Sequence, residues 1–182
     1  GNVRRNIVQA TPQTNGSYTM VHFEDEVAFP DNMPDVDPAK AENALLFFKQ
    51  RVTAPSRLAG NVLLVHDSLD QVKEPRMAWL YNAGQRRVRR APTLAYDTPI
   101  DGIYADDTDM YNGATDRYDW KLVGKREMYI PYNAYKLYFG CGVEEQFKEK
   151  YPNPACWRWE LHRMWVVEAT LKQGFRHAYA KR

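Results

Sequence analysis

The most regular hydrophobic pattern in the chain runs through WRWELHRMWVVEATL, residues 157–171. Its odd positions hold Trp157, Trp159, Leu161, Arg163, Trp165, Val167, Ala169 and Leu171, and its even positions include Arg158, Glu160, His162, Glu168 and Thr170. Side chains of an extended strand point alternately to opposite faces, so a period of two predicts one long strand with an apolar and a polar face. Shorter stretches predict strand from strand-forming residues and turn punctuation. GSYTMVHFEDEVAFP (16–30), bounded by Gly16 and Pro30, predicts a strand or extended arm, and NVLLVHD (61–67) a short apolar strand. RMAWLYNAGQRRVRR (76–90) predicts a hairpin whose turn carries Asn82 and Gly84. WKLVGKREMYIPYNAYKLYF (120–139) predicts further strand, broken at Gly124 and Pro131. After a turn at KQG, the segment FRHAYAKR predicts a last strand.

One segment has helical spacing. In AKAENALLFFKQRV, Ala41, Leu45, Phe48 and Val52 recur at intervals of three and four, Asp37 can cap with Pro38 in the first turn, and Pro55 stops the run. This predicts an amphipathic helix over roughly residues 38–53. VEEQFKEKY (143–151) predicts one or two exposed helical turns. The expected class is α+β, mostly β: a twisted antiparallel sheet or half-barrel whose apolar face is covered by one or two helices. The expected organisation is one domain over residues 1–182, with an arm and loop over 1–36, the helix within 37–54 and a strand-rich sheet over 60–182.

Charge changes this picture at one point. GQRRVRR places Arg86, Arg87, Arg89 and Arg90 within five positions. The whole chain, however, balances 25 Lys and Arg against 23 Asp and Glu, for a net charge of +2. A polyanion-binding domain usually carries a more lopsided excess, so nucleic acid is not an expected partner. Strand alternation also divides the run, with Arg86, Val88 and Arg90 on one face and Arg87 and Arg89 on the other. Seven aspartates in residues 97–119 offer counter-charges; their spacing does not fit a calcium-binding EF-hand loop.

Cys141 and Cys156 enclose GVEEQFKEKYPNPA. In an exported protein they are expected to form a disulfide, worth about 3 kcal/mol for a loop of this size; in a reducing compartment they are two separate buried thiols. No CxxC or neighbouring histidine pair accompanies them, so no zinc site is expected. No apolar stretch approaches the roughly 20 residues that span a bilayer as a helix. The first residues lack the apolar core of a signal peptide, and the chain is expected to be a piece of a longer exported protein whose signal has been removed.

Chemistry is sparse. No nucleophile elbow, phosphate loop, HExxH or dinucleotide fingerprint occurs, and His22, His66, His162 and His177 are scattered. His162 and His177 could meet across the last hairpin. No catalytic residue, metal site or cofactor is expected, and the protein is expected not to be an enzyme. The tryptophans carry the sharper signal: an aromatic strand face under a helical lid could either be a packed core or enclose an apolar ligand. The candidate groove comprises Trp79, Trp159, Leu161, Trp165 and Val167, with Leu45 and Phe48 on the covering helix.

Three long motifs, YNAGQRRVRRAPTLAYDTP, DRYDWKLVGKREMYIPYNAY and WELHRMWVVEATLKQGFRHAYAKR, resemble a proteobacterial family of unknown function. Its members are often labelled outer-membrane lipoprotein-sorting proteins. The resemblance runs from about residue 60 to the end and weakly before it. It implies export, a longer chain, and a fold similar to the LolA and LolB lipoprotein carriers, with helices plugging a twisted half-barrel. It also implies a periplasmic or outer-membrane-associated role with a lipid or a lipoprotein's acyl chain. An envelope exporter or outer-membrane protein is the alternative partner. No catalytic residues carry over, and the Cys141–Cys156 segment does not match the family.

Overall fold

The computed structural model describes residues 1–35, 37, 42–91, 97–100, 103–107, 111–148 and 151–181. They form two compact units. The first comprises Gly1–Thr11 and Thr19–Asp116, the second Pro12–Tyr18 and Arg117–Arg182.

The first unit is built on a six-stranded sheet in the order β1-β2-β3-β4-β5-β6. Its strands are β1 (Asn2–Pro12), β2 (Tyr18–Ala28), β3 (Ala44–Ala54), β4 (Val62–Ser68), β5 (Met77–Asn82) and β6 (Arg87–Arg90). From β2 to β6 every neighbouring pair is antiparallel. The strand order therefore repeats the chain order, as in a meander. The strands β7 (Pro99–Ile100) and β8 (Ile103–Tyr104) form a small separate ladder.

The segment expected to be a helix is β3. Its side-chain spacing explains the error. Phe48 and Val52 are four apart, and four is even, so a strand places them on one face just as a helix would. Leu45 and Phe48 are three apart, and a strand sends them to opposite faces. Here β3 lies between β2 and β4, with Phe48 opposite Val27 and Val65, and Val52 opposite Phe23. Pairing on both edges overrides a helical spacing of four apolar residues. Residues 38–41, the expected first turn, lie outside the described residues.

The even-numbered face of β3 carries the small core. Val65, Ala78 and Ala91 form a buried cluster against which Phe48 and Leu63 pack. At the end of β4, Asp67 is buried and anchored: Arg76 Nη2 lies 2.6 Å from its carboxylate, and Gln71 Nε2 donates to it at 2.9 Å. Arg76 also donates to Asn112. On β2, the fully buried Asp25 accepts from Arg5 Nε at 3.3 Å.

The second unit is dominated by the antiparallel hairpin of β9 (Tyr118–Pro131) and β10 (Trp159–Leu171). The long alternating strand is thus present, beginning two residues later than its pattern. β9 passes Gly124 instead of breaking there. The register shifts between Val166 and Val167, and Gly124 sits at the shift with φ +125°, a conformation that other residues rarely adopt.

Between the strands lie α1 (Tyr135–Phe139) and α2 (Val143–Gln146). The α2 turn falls where helix was expected, whereas α1 replaces expected strand. Gln146 Nε2 donates to the carbonyls of Leu137 and Cys141, both at 2.8 Å, and so ties the two turns together. Cys141 and Cys156 are joined by a disulfide, and the Cys156 side chain is completely buried. The last segment is not a strand: its backbone pairs with β10 at one isolated bridge, Thr170 to Lys181, and Lys181 Nζ lies 2.9 Å from the Glu168 carboxylate. The class is therefore mostly β, antiparallel and open, with two short helices.

Candidate apolar binding face

The register of the first unit lines side chains into rows across the sheet, because directly paired residues share a face. One row runs Glu26–Lys49–Leu64–Trp79–Arg90 from β2 to β6. The next runs Glu24–Arg51–Val62–Tyr81–Val88, and a third Ala28–Phe47–His66–Met77. On this face the β2–β3 side is charged and the β4–β5 centre is apolar and aromatic. Phe47, His66 and Trp79 pack in sequence at tilted and edge-on angles, with ring centroids 4.6 and 4.9 Å apart.

The apolar centre is concave. Lys49, Val62, Leu64, His66, Trp79, Tyr81 and Val88 line an open depression of about 410 Å³. That volume lies within the range of small-molecule sites. Its centre is half-buried, with Leu64, His66, Trp79 and Tyr81 all partly accessible. On the charged side, Arg51 donates to Glu24 at 2.5 Å and Lys49 lies 3.1 Å from Glu26. The Lys49 hydrogen bond is the main cause holding the Glu26 carboxyl below its ordinary range, with Lys49, Arg4 and Arg51 charges adding to it.

Among the predicted groove residues, Trp79 alone lies in this depression. Phe48 is on the opposite face of the same sheet, in the core cluster. Leu45 is at the start of β3 and lines a different depression with Asp67–Val72 and Tyr111–Thr115. Neither stands on a covering helix. Leu64, Tyr81, Val62, His66 and Val88 belong to the depression but were not singled out from sequence. The signal was the paired alternation of VLLVHD and MAWLYN, hidden in β4 because both of its faces carry apolar residues.

The other four candidates share one face of β10, as predicted, in the second unit. That face is open: Trp159, Leu161, Trp165 and Val167 are 53, 53, 61 and 49% exposed. Paired with them on β9 are the exposed Tyr129 opposite Leu161 and the exposed Leu122 opposite Val167. Lys125 Nζ lies 4.6 Å from the centre of the Trp165 ring. The face expected to be wet is the more covered one. Glu160 accepts from Asn133 Nδ2 at 3.0 Å and lies 3.1 Å from His162 Nε2, and these bonds, Asn133 first, hold its carboxyl below its ordinary range. His162 packs on Tyr132 at 4.1 Å, and His177 packs on Tyr118 and Tyr179 instead. The two histidines are not partners.

The arginine run is the outgoing arm of the β5–β6 hairpin, except that Arg86 is in the turn with φ 52° and has no strand face. All four arginines are exposed. Among the described residues no aspartate of the 97–119 segment pairs with them; Arg89 donates to Gln85 at 3.2 Å.

An open antiparallel sheet with a wide aromatic face, joined in sequence to a disulfide-bearing hairpin unit, defines the structural class. The chain belongs to the family DUF1329, described as a protein of unknown function, whose model matches residues 1–182. The uncharacterized protein PA3922 of Pseudomonas aeruginosa is 62% identical over 187 residues, covering 100% of this chain and 41% of that protein. The chain thus spans about two fifths of that relative's length. Two crystal structures share the fold. A DUF1329 family protein from Desulfovibrio piger matches with TM-score 0.54 and 14% identity, over 99% of this chain and 57% of its own. A domain from Vibrio parahaemolyticus, provisionally described as an outer membrane lipoprotein-sorting protein domain, matches with TM-score 0.53 and 11% identity, over 99% and 56%.

Proposed function

We propose that this chain is a non-enzymatic binding or carrier domain of the cell envelope that holds an acyl chain of a lipid or lipoprotein. The observation that carries the reading is the half-buried depression around Leu64, Trp79 and Tyr81, which is apolar at its centre. Such a surface binds by removing apolar area from water, about 25 cal/mol per Å². The fold shared with the Vibrio parahaemolyticus domain favours a lipoprotein-related role. The Cys141–Cys156 disulfide favours an oxidising compartment such as the periplasm.

The test is titration of the purified chain with a fluorescent long-chain acyl probe, repeated with Trp79→Ala. Losing about 60 Å² of apolar contact is worth about 1.5 kcal/mol, so the variant is expected to bind about tenfold more weakly. Saturable binding with that loss supports the reading, and absence of saturable binding sinks it.

A second reading, docking on an envelope exporter or outer-membrane protein, is favoured by the exposed apolar face of the β9–β10 hairpin. Exposed aromatic patches commonly mark protein interfaces. In this reading Trp165→Ala, and not Trp79→Ala, abolishes capture of a partner from envelope extracts.

A further inference from the structure

The acyl-chain reading leaves the arginine run without a role. β6 is the outermost strand of the six-stranded sheet on the side next to the depression. Arg87, Arg89 and Arg90 stand on it and Arg86 in the turn before it. None of the four has a carboxylate partner among the described residues. On the other side of the depression the situation is reversed: Lys49 is held by Glu26, and Arg51 by Glu24. The Lys49 hydrogen bond holds the Glu26 carboxyl below its ordinary range.

The depression is therefore bordered by neutralised ion pairs on β2–β3 and by cations on β6 that have no carboxylate partner among the described residues. Arg90 is the cation best placed to use this asymmetry. It stands outside the depression's lining but shares its face in register, directly opposite Trp79 and two residues beyond Val88, and it borders a neighbouring depression with Glu74–Ala78. Among the described residues no carboxylate lines the depression. Arg87 and Arg89 lie on the opposite face, opposite Asn82 and Leu80, and contribute only to the field along the edge.

We infer that the ligand is an anionic amphiphile, its chain lying on Leu64, Trp79 and Tyr81 and its acidic head meeting Arg90 at the sheet edge. This rests on the acyl-binding reading and extends it to the head of the ligand. A guanidinium offers a planar pair of N–H donors that suits either a carboxylate or a phosphate. Because Arg90 is exposed, the gain is modest and screened by salt.

Matched probes separate the terms. Hexadecanoate is compared with hexadecanol, and hexadecanoyl-glycerol phosphate with hexadecanoyl-glycerol, each in low and high salt, on the native chain and on Arg90→Ala and Arg90→Lys. The native chain is expected to prefer the acid over its neutral partner by about threefold, the scale of an exposed ion pair. Arg90→Ala removes the preference, Arg90→Lys keeps part of it, salt weakens it, and the neutral probes bind all three chains alike. The arm with the larger preference tells a carboxylate head from a phosphate head.

Equal binding of acid and neutral probes overturns the head assignment while leaving acyl binding in place. So does an Arg90→Ala loss that is the same for both, or an arginine effect seen only with anionic vesicles. Failure of every probe to bind overturns the acyl reading itself.

Discussion

On the face that carries Trp79, five strands contribute to each of two rows of side chains, whereas the face that carries Trp165 is two strands wide. Both faces include tryptophan, tyrosine, leucine and valine. In the first, Leu64 and Trp79 each have cross-strand neighbours on both sides, so their flanks are covered and a depression forms between them. In the second, Leu161 and Trp165 each have one paired neighbour, and more than half of each side chain remains in water. The comparison teaches that apolar alternation marks a face but not its depth. Depth comes from the number of strands that flank it.

The frames under the two faces also differ, and they can be broken separately. The first unit depends on a buried ion pair: replacing Asp67 leaves the Arg76 charge enclosed without its carboxylate. Asp67→Ala is expected to cost about 3–5 kcal/mol, read by chemical denaturation, with loss of acyl-probe binding as the Trp79 face melts. An effect under 1 kcal/mol, the scale of an exposed pair, would remove the pair from the frame.

The second unit depends on a covalent link. Replacing both cysteines by serine is expected to destabilise it by about 3 kcal/mol. Four of the five tryptophans lie in that unit, so denaturation followed by fluorescence reports it. Acyl binding by the first unit is expected to survive in the doubly substituted chain.

A smaller effect on the second unit is read by pH. The Glu160 carboxyl is held below its ordinary value of 4.5, first by Asn133 and then by His162. A carboxyl lowered in the folded state adds stability that is present above its unfolded value and is lost as pH falls through the folded one. Acidification from pH 5 downward is therefore expected to loosen the second unit, with Glu160→Gln flattening the dependence. A Glu160→Gln chain with an unchanged pH profile would contradict this. The smallest effect belongs to the exposed pair of Glu24 and Arg51. Arg51→Ala is expected to shift stability by about 0.5 kcal/mol or less, because both groups are half in water.

Much of the fold was legible in the sequence, and the parts that were not have particular causes. Local pattern placed β10 by its alternation, and β2, β4 and the β5–β6 hairpin by strand-forming residues and turn signals. It failed for β3, where ALLFFKQRVTA satisfies a helical and an extended period together and only its neighbours β2 and β4 decide. β1 was also missed: NVRRNIVQATP has charged residues early and few apolar ones, and the strand is defined by its partner. The candidate site was legible in one residue. Trp79 stood out by size, whereas Leu64 and Tyr81 join it through cross-strand register, a long-range property that local pattern does not carry. The four β10 residues were rightly grouped on one face, and that face proved open.

The central claim is that the five-strand face of the first unit, and not the two-strand face of the second, receives the acyl chain. Photo-crosslinking with a diazirine-bearing hexadecanoate, followed by peptide mapping, tests it most directly. The account predicts saturable adducts on residues 62–66, 77–81 and 88, competed by unlabelled hexadecanoate and shifted to about tenfold higher probe concentration in Trp79→Ala. Adducts concentrated on residues 159–167 of β10, with 62–88 unlabelled, would contradict it.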